Sequence, residues 1–406
     1  MPALVAAGVL AALWIVAAAL LWRSSSVPTN LNLPRVDPED FFSAAELRRA
    51  SRYERFLRLD YLLSELALLT VLAVYAAKGA RFARESAAGR IGTGMLLGMI
   101  GLAFVWLAQV PFGLADLWWE RRHGIARVGY FEWLTGDWLG LGGTFLLVSL
   151  AIVIVMALAG VMHDWWWIAG GPVFVALVVL FVFIQPYLIP THGLRKPALA
   201  AEAKRLEQAE GVRGVAIEVQ DVHRETTAAN AEATGLGPSR RIILWDTLLD
   251  GRFEPREIRF VLAHEIGHLA RNHIVKGIAW YALFAIPGAF LIAVGTRRRG
   301  GMAEPAAVPL ALLILVVLQL VASPIQNLIS RHIETEADWM ALQATRDPDG
   351  GRALFRRFGT TALQEPNPPT WAYLLLDDHP TIAQRIALIE AWQARYATSA
   401  SAAQSP

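Results

Sequence analysis

Apolar runs of about 20 residues, enough to cross a hydrocarbon core as a helix, alternate along the chain with arginine-rich polar stretches. Uncharged runs lie near 3–22, 92–114, 139–162, 165–189, 277–295 and 306–326. A seventh, near 61–77, carries Glu65, an acid that has to face a polar interior or lie close to the membrane interface. The pattern predicts a mainly α, multi-pass membrane protein with about seven transmembrane helices. Five of them fall in an N-terminal membrane region, 1–190. The other two, about 277–295 and 306–326, lie inside a second region, 191–395, and the small polar tail 396–406 is expected to be disordered. Pro287, Pro309 and Pro324 fall in or beside the last two spans, where membrane helices tolerate helix breakers. The first span reads as a retained helix, because no basic segment precedes it and Leu20-Leu21-Trp22 is no small-residue cleavage site.

The longest polar stretch, residues 190–276, separates the fifth and sixth spans. Its periodicity predicts an amphipathic helix over Ala198–Glu210 and strands at Val215–Val219 and Arg241–Trp245, with turn-prone Gly235–Ser239 before the second strand. That is a compact α+β insert. Asn230-Ala231 lies between the two strands, where an exposed edge could pair with a peptide by strand addition. Trp118-Trp119 and Trp165-Trp166-Trp167 flank apolar runs, as rings anchored at a membrane interface do.

Composition agrees with the pattern. Of 406 residues, 55% are hydrophobic and only 18% charged, and mean hydropathy is +0.40, too apolar for an ordinary soluble enzyme. A net charge of +2 with no basic-aromatic stripe gives no case for nucleic acid. The chain has no cysteine, which removes disulfides and thiol catalysis. Arg and Lys concentrate in the loops after spans one, three, five and seven, which makes those loops cytoplasmic and puts the N-terminus outside. Two loops dissent, one with Lys78, Arg81, Arg84 and Arg90, the other with Arg297, Arg298 and Arg299.

The chemistry is concentrated in His264-Glu265-Ile266-Gly267-His268. On a helix, positions i and i+4 share a face, so His264 and His268 can grip one zinc ion while Glu265 stands beside the water at the metal. Upstream Phe260–Ala263 supplies helix formers without a break, and Pro255 suits a first turn. Without cysteine, a third ligand must offer oxygen or nitrogen. Glu334 is the best candidate, in Arg331–Asp338, where Glu334 and Asp338 project from one helical face and Asp338 can orient a ligand histidine. Two neutral imidazoles and one carboxylate leave the zinc net positive, enough to bring the pKa of its water to about 7, so Glu265 can accept that proton and later pass it to a leaving amine. Peptide hydrolysis is the natural reaction, with one Zn2+ per chain. The two spans between His268 and Glu334 return the chain to the side it left, so all three ligands can meet.

These motifs, with Asn230-Ala231 upstream and His379-Pro380 to Arg385 downstream, resemble the integral-membrane zinc metalloproteases of the type I CAAX prenyl endopeptidase family. The resemblance covers most of the chain, to about residue 395. It implies a seven-helix membrane barrel around a water-filled chamber, with a gluzincin-type α+β zinc protease domain at the cytosolic end and side openings for substrate. It makes His264, His268 and Glu334 the zinc ligands, Glu265 the general base and Asp338 the residue behind a ligand. It also makes Asn230 a contact for the substrate backbone, His379 a transition-state or substrate contact, and Arg385 an electrostatic support. The implied substrates are peptides or proteins at the bilayer, including those with lipidated or apolar C-termini. Glu120–Ala126 matches the family only loosely, with Ile125 and Ala126 in place of Phe and Asn, which touches substrate preference more than catalysis. Abundant arginine and alanine point to a GC-rich bacterial genome. Two other readings share some features: a heat-shock-type membrane quality-control zinc protease, which usually has fewer spans, and a membrane signalling or scaffold protein with a closed structural zinc, in which Glu265 has no purpose.

Overall fold

A computed structural model describes the backbone of residues 2–402 and the side chains of 11–83 and 86–396. In chain order the helices are α1 (Pro2–Trp22), α2 (Ala44–Lys78), α3 (Gly89–His123), α4 (Tyr130–Met162) and α5 (Trp166–Leu188). Strand β1 (His192–Gly193), helix α6 (Pro197–Ala209) and strands β2 (Ala216–Gln220), β3 (Ala231–Thr234) and β4 (Arg241–Trp245) follow. The remainder is α7 (Pro255–Ala270), α8 (His273–Thr296), α9 (Val308–Thr345), α10 (Pro348–Thr361), α11 (Thr370–Leu375) and α12 (Ile382–Ala402). Helix α12 carries regular structure through residues 396–402, where disorder was expected from the small polar composition; residues 403–406 lie outside the described residues.

Each of the seven expected spans falls on a helix: α1 to α5, α8 and α9. Among the described residues, five helical stretches are long and apolar enough to cross a membrane by length and composition. One of these, Tyr130–Leu188, has 59 residues and contains two of the expected spans, broken at His163, whose φ of 52° ends α4. Large apolar side chains such as Leu146, 75% exposed, and Val161, 81% exposed, stand outward on α4, as lipid-facing residues must.

The chain packs into two units. Residues 57–179 with 278–322 form the apolar one, whose core includes Leu97, Ile152, Met156, Ala293 and Val308. There α3 meets α4 through glycine. A Cβ at Gly94 would stand 2.2 Å from Met156 Sδ and one at Gly98 would stand 2.3 Å from Ile152 Cδ1, so a larger residue at either position would force those side chains to shift.

The other unit, residues 1–56, 180–277 and 323–406, carries the polar insert and the motif helix. Its sheet has the order β1-β2-β4-β3. Strand β4 runs parallel to β2, with Ile217 opposite Ile242, and antiparallel to β3, with Ala233 opposite Ile242. Ile242, Ile243 and Leu244 are fully buried, which makes β4 the centre of the sheet and leaves β3 as an edge. Strands β2 and β4 lie within one residue of the two expected, while β1 was not expected and β3 falls by Asn230-Ala231, where an exposed edge was considered.

Helix α7 begins at Pro255, where the Glu257 carboxylate accepts the Glu254 N–H at 2.8 Å. Arg357 on α10 binds both oxygens of buried Glu257, at 2.9 and 2.7 Å, which fastens α10 to this first turn. Leu262, Ala263 and Ile266 are fully buried, and Phe260 meets Phe355 of α10 edge to face at 5.7 Å. Helix α7 is therefore enclosed on nearly every side, and the imidazoles it carries stand on a rigid support. Leu262→Ala removes a fully buried side chain from its back and should destabilise the protein by about 2–5 kcal/mol. A wild-type unfolding temperature for that variant in detergent would show that α7 is not the organising helix of this unit.

Candidate metal centre

The second half of α7 presents His264, Glu265 and His268, and α9 returns Glu334 and Asp338 to the same place. His264 Nε2 lies 3.2 Å from Glu334 Oε2, His268 Nε2 lies 3.4 Å from Glu334 Oε1, and the two Nε2 atoms are 3.0 Å apart. Bonds of about 2.0–2.2 Å from a tetrahedral zinc set neighbouring donors about 3.3–3.6 Å apart, and the observed separations come within about 0.3 Å of that range. Sulfur is missing from the donor set, and an N,N,O set suits zinc. His264 turns its other nitrogen, Nδ1, to Asp338 Oδ1 at 2.9 Å, the carboxylate–imidazole arrangement that aims a ligand's lone pair at a metal.

The electrostatics agree. Burial opposes charge on His264, but its contacts with Asp338 and Glu334 outweigh burial and raise the imidazole to about 10. Burial, and then the His264 charge, pull His268 down to about 3. Burial also works against an ionised Glu334, yet the hydrogen bond from His264 and the neighbouring imidazoles keep its carboxyl well below the usual range. The donor set thus stabilises one positive charge at its centre, which is what a cation site requires.

Glu265 is 7% exposed, and its Oε2 accepts the Ala233 N–H of edge strand β3 at 2.7 Å. Burial pushes this carboxyl up to about 7, with the charges of Glu334 and Glu232 acting the same way and the Ala233 N–H opposing. A carboxyl held near neutrality is matched to taking and returning a proton.

A cavity of about 500 Å³ opens on these groups. Asn230, Ala231 and Ala233 line one side, His379 and Arg385 another, and Phe260, Leu354, Phe355 and Phe358 form an apolar wall. His379 Nε2 is 3.3 Å from Glu334 Oε2 and Nδ1 is 2.7 Å from Asp378 Oδ1, with half the side chain exposed. Arg385 reaches Glu334 Oε2 at 3.1 Å, and its Nε stands 3.3 Å from Asp338 Oδ2 as an ion pair without hydrogen-bond alignment. Every site residue expected from sequence is therefore gathered at one cavity.

Other residues took no part in the sequence reading. Buried Glu336 binds Arg271, His273 and Lys276, and the two oxygens of Glu210 lie buried and unpartnered beside Gly267. Burial pushes Glu210 up to about 8, so it is a neutral acid behind the motif helix at pH 7. Only the Glu-x-Glu spacing around 334–336 hinted at Glu336. A second group of donors, Asp221, His223 and Asp246, lies at the sheet's end, where Asp246 accepts the N–H groups of Val222 and His223 and serves as a loop staple.

Comparison with known proteins leads the same way. Peptidase family M48 matches residues 194–393. The chain is 26% identical over 393 residues to the uncharacterized metalloprotease YhfN of Bacillus subtilis, covering 89% of each chain. It is 26% identical over 318 residues to a CAAX prenyl protease 1 homolog of Arabidopsis thaliana, covering 70% of each. In fold it is similar to a crystal structure of S. mikatae Ste24p, with a TM-score of 0.73, 19% identity and 93% and 96% of the two chains covered. The chain is a membrane metalloendopeptidase whose residues 194–393 match the M48 peptidases and which is similar along most of its length to the CAAX prenyl protease 1 homolog and Ste24p.

Proposed function

We propose that this chain is a zinc endopeptidase with its site on the cytoplasmic side of a cell membrane, cleaving peptides held at the bilayer, among them those with lipidated or apolar C-termini. The observation that carries this reading is the buried Glu265 carboxylate, oriented by the Ala233 N–H next to three convergent donors. His264, His268 and Glu334 would hold one zinc ion, with Asp338 orienting His264. When bound, zinc polarises the scissile carbonyl and acidifies water. Glu265 takes the proton of the attacking water and returns it to the leaving amine.

The substrate main chain is assigned to strand β3. Asn230 O accepts the Trp245 N–H at 3.0 Å, so alternate residues of β3 face β4 while Ala231 and Ala233 turn outward. The outward groups of Ala231 then serve an extended peptide, with the Asn230 side chain, which is exposed, as a further contact. His379 is assigned a transition-state or substrate contact from its half-exposed position 3.3 Å from Glu334, and Arg385 an electrostatic support through its ion pairs with Glu334 and Asp338. The protease region is 191–395 and the N-terminal membrane region 1–190.

The apolar wall and the membrane helices favour substrates drawn from the bilayer. The CAAX prenyl protease 1 likeness suggests lipidated C-termini as one class. A heat-shock-type protease would share the metal motif, but the likeness to YhfN runs through 89% of this chain and takes in the N-terminal membrane region.

Glu265→Gln should retain the metal and lose peptide cleavage by about 10²–10⁴-fold, the usual worth of a positioned general base. His264→Ala should lose the metal itself. Cleavage by Glu265→Gln at the wild-type rate would refute the mechanism. Orientation has a separate check, because the chain has no cysteine of its own. Arg224→Cys, at an exposed position between β2 and β3, should react with an impermeant maleimide only when the cytoplasmic face is opened; labelling of intact cells would reverse the topology.

A further inference from the structure

Helix α7 ends at Ala270, and α8 starts only three residues later at His273. The turn between them depends on Asn272, whose φ of 53° lies in the left-handed region that asparagine tolerates better than most residues. That reversal brings His273 back beneath the motif. Its Nδ1 lies 3.0 Å from Nδ1 of His268 and its Nε2 lies 3.0 Å from Glu336 Oε2. The His273 and Glu336 side chains are each only 2% exposed.

We infer that His273 is a positioning residue for the metal ligand His268, passing the orienting pull of the Glu336 carboxylate to that imidazole. This rests on the reading of His268 as a ligand. Proton placement leaves one arrangement. His268 turns Nε2 toward the other donors and must offer its lone pair there, so its proton sits on Nδ1. His268 Nδ1–H then donates to Nδ1 of His273, and the proton of neutral His273 sits on Nε2 and donates to Glu336.

Glu336 is suited to anchor such a chain because it cannot swing away. Its carboxylate also takes Arg271 Nε at 2.6 Å, Lys276 Nζ at 3.0 Å and the Ser26 N–H at 2.7 Å. The two ligand histidines are therefore backed differently. Asp338 holds His264 directly, whereas His268 is reached through an intervening neutral ring. The alternative role for His273, a buried histidine that merely completes the packing of the α7–α8 corner, predicts that a ring of the same shape would serve as well.

Zinc affinity of the full chain in detergent, measured by competition with a chelator, separates the two. His273→Phe keeps an aromatic ring and loses both hydrogen bonds; it should weaken zinc binding about 10–100-fold, the usual cost of removing a partner behind a ligand. His273→Gln has an amide oxygen to accept from His268 and an amide N–H to donate to Glu336, and should return affinity to the wild-type range. Wild-type affinity in His273→Phe, or affinity in His273→Gln as weak as in His273→Phe, overturns the inference. Should His273→Phe not fold, His273→Leu loses the same two bonds in a smaller side chain and is judged by the same outcomes. A wild-type protein that takes up no zinc, or a His264→Ala variant that binds it as well as wild type, would instead sink the metal site on which the inference rests.

Discussion

The arrangement depends on three buried carboxylates within five residues of α9. Glu334, Glu336 and Asp338 are each less than 9% exposed, and a carboxylate taken out of water is tolerated only when it is paired. Their partners come largely from α7 and the start of α8. Glu334 faces His264, His268, His379 and Arg385; Asp338 faces His264 and Arg385; Glu336 faces Arg271, His273 and Lys276. Glu334 and Asp338 share His264 and Arg385, so displacing either changes the balance at the other, while Glu336 is compensated by a set of its own. The chain leaves this unit in α8 and re-enters it in α9, and the ion pairs between α7 and α9 are what that excursion has to satisfy.

Much of this was legible in the sequence because helices repeat every 3.6 residues. His264 and His268 on one helix, and Glu334 and Asp338 on the other, are both i, i+4 pairs, so each pair shares a face whatever the tertiary structure. The seven apolar runs and the two alternating segments likewise declare themselves locally. What periodicity could not show was continuity: the last expected span, 306–326, and the ligand-bearing segment 331–338 form a single helix of 38 residues that carries Pro324 inside it. Tolerance of proline was expected there, but not that one helix would run through it from the span to the acids.

Other features depend on tertiary placement alone. Glu336, two residues from Glu334, points away from it on α9, and only the left-handed Asn272 turn brings His273 to meet it. Glu210 read as the end of an amphipathic helix, where an acid is ordinarily solvated; the approach of α6 to glycine in the motif buries it instead. The cavity's apolar wall joins Phe260 of α7 to Leu354, Phe355 and Phe358 of α10, and no local pattern marks aromatic residues so far apart as neighbours.

That wall also takes part in the electrostatics. The Arg385 guanidinium lies over the Phe355 ring at 4.9 Å while compensating Glu334 and Asp338. Phe355 in turn meets Phe260 edge to face, five positions before Glu265, whose carboxylate accepts the Ala233 N–H of β3. The arginine that pairs with the acids is thus held by the same aromatic pair that lines the cavity. Residues that shape the cavity and residues that compensate the acids are parts of one packed construction, so the cavity's shape cannot change without reaching the charge balance beside it.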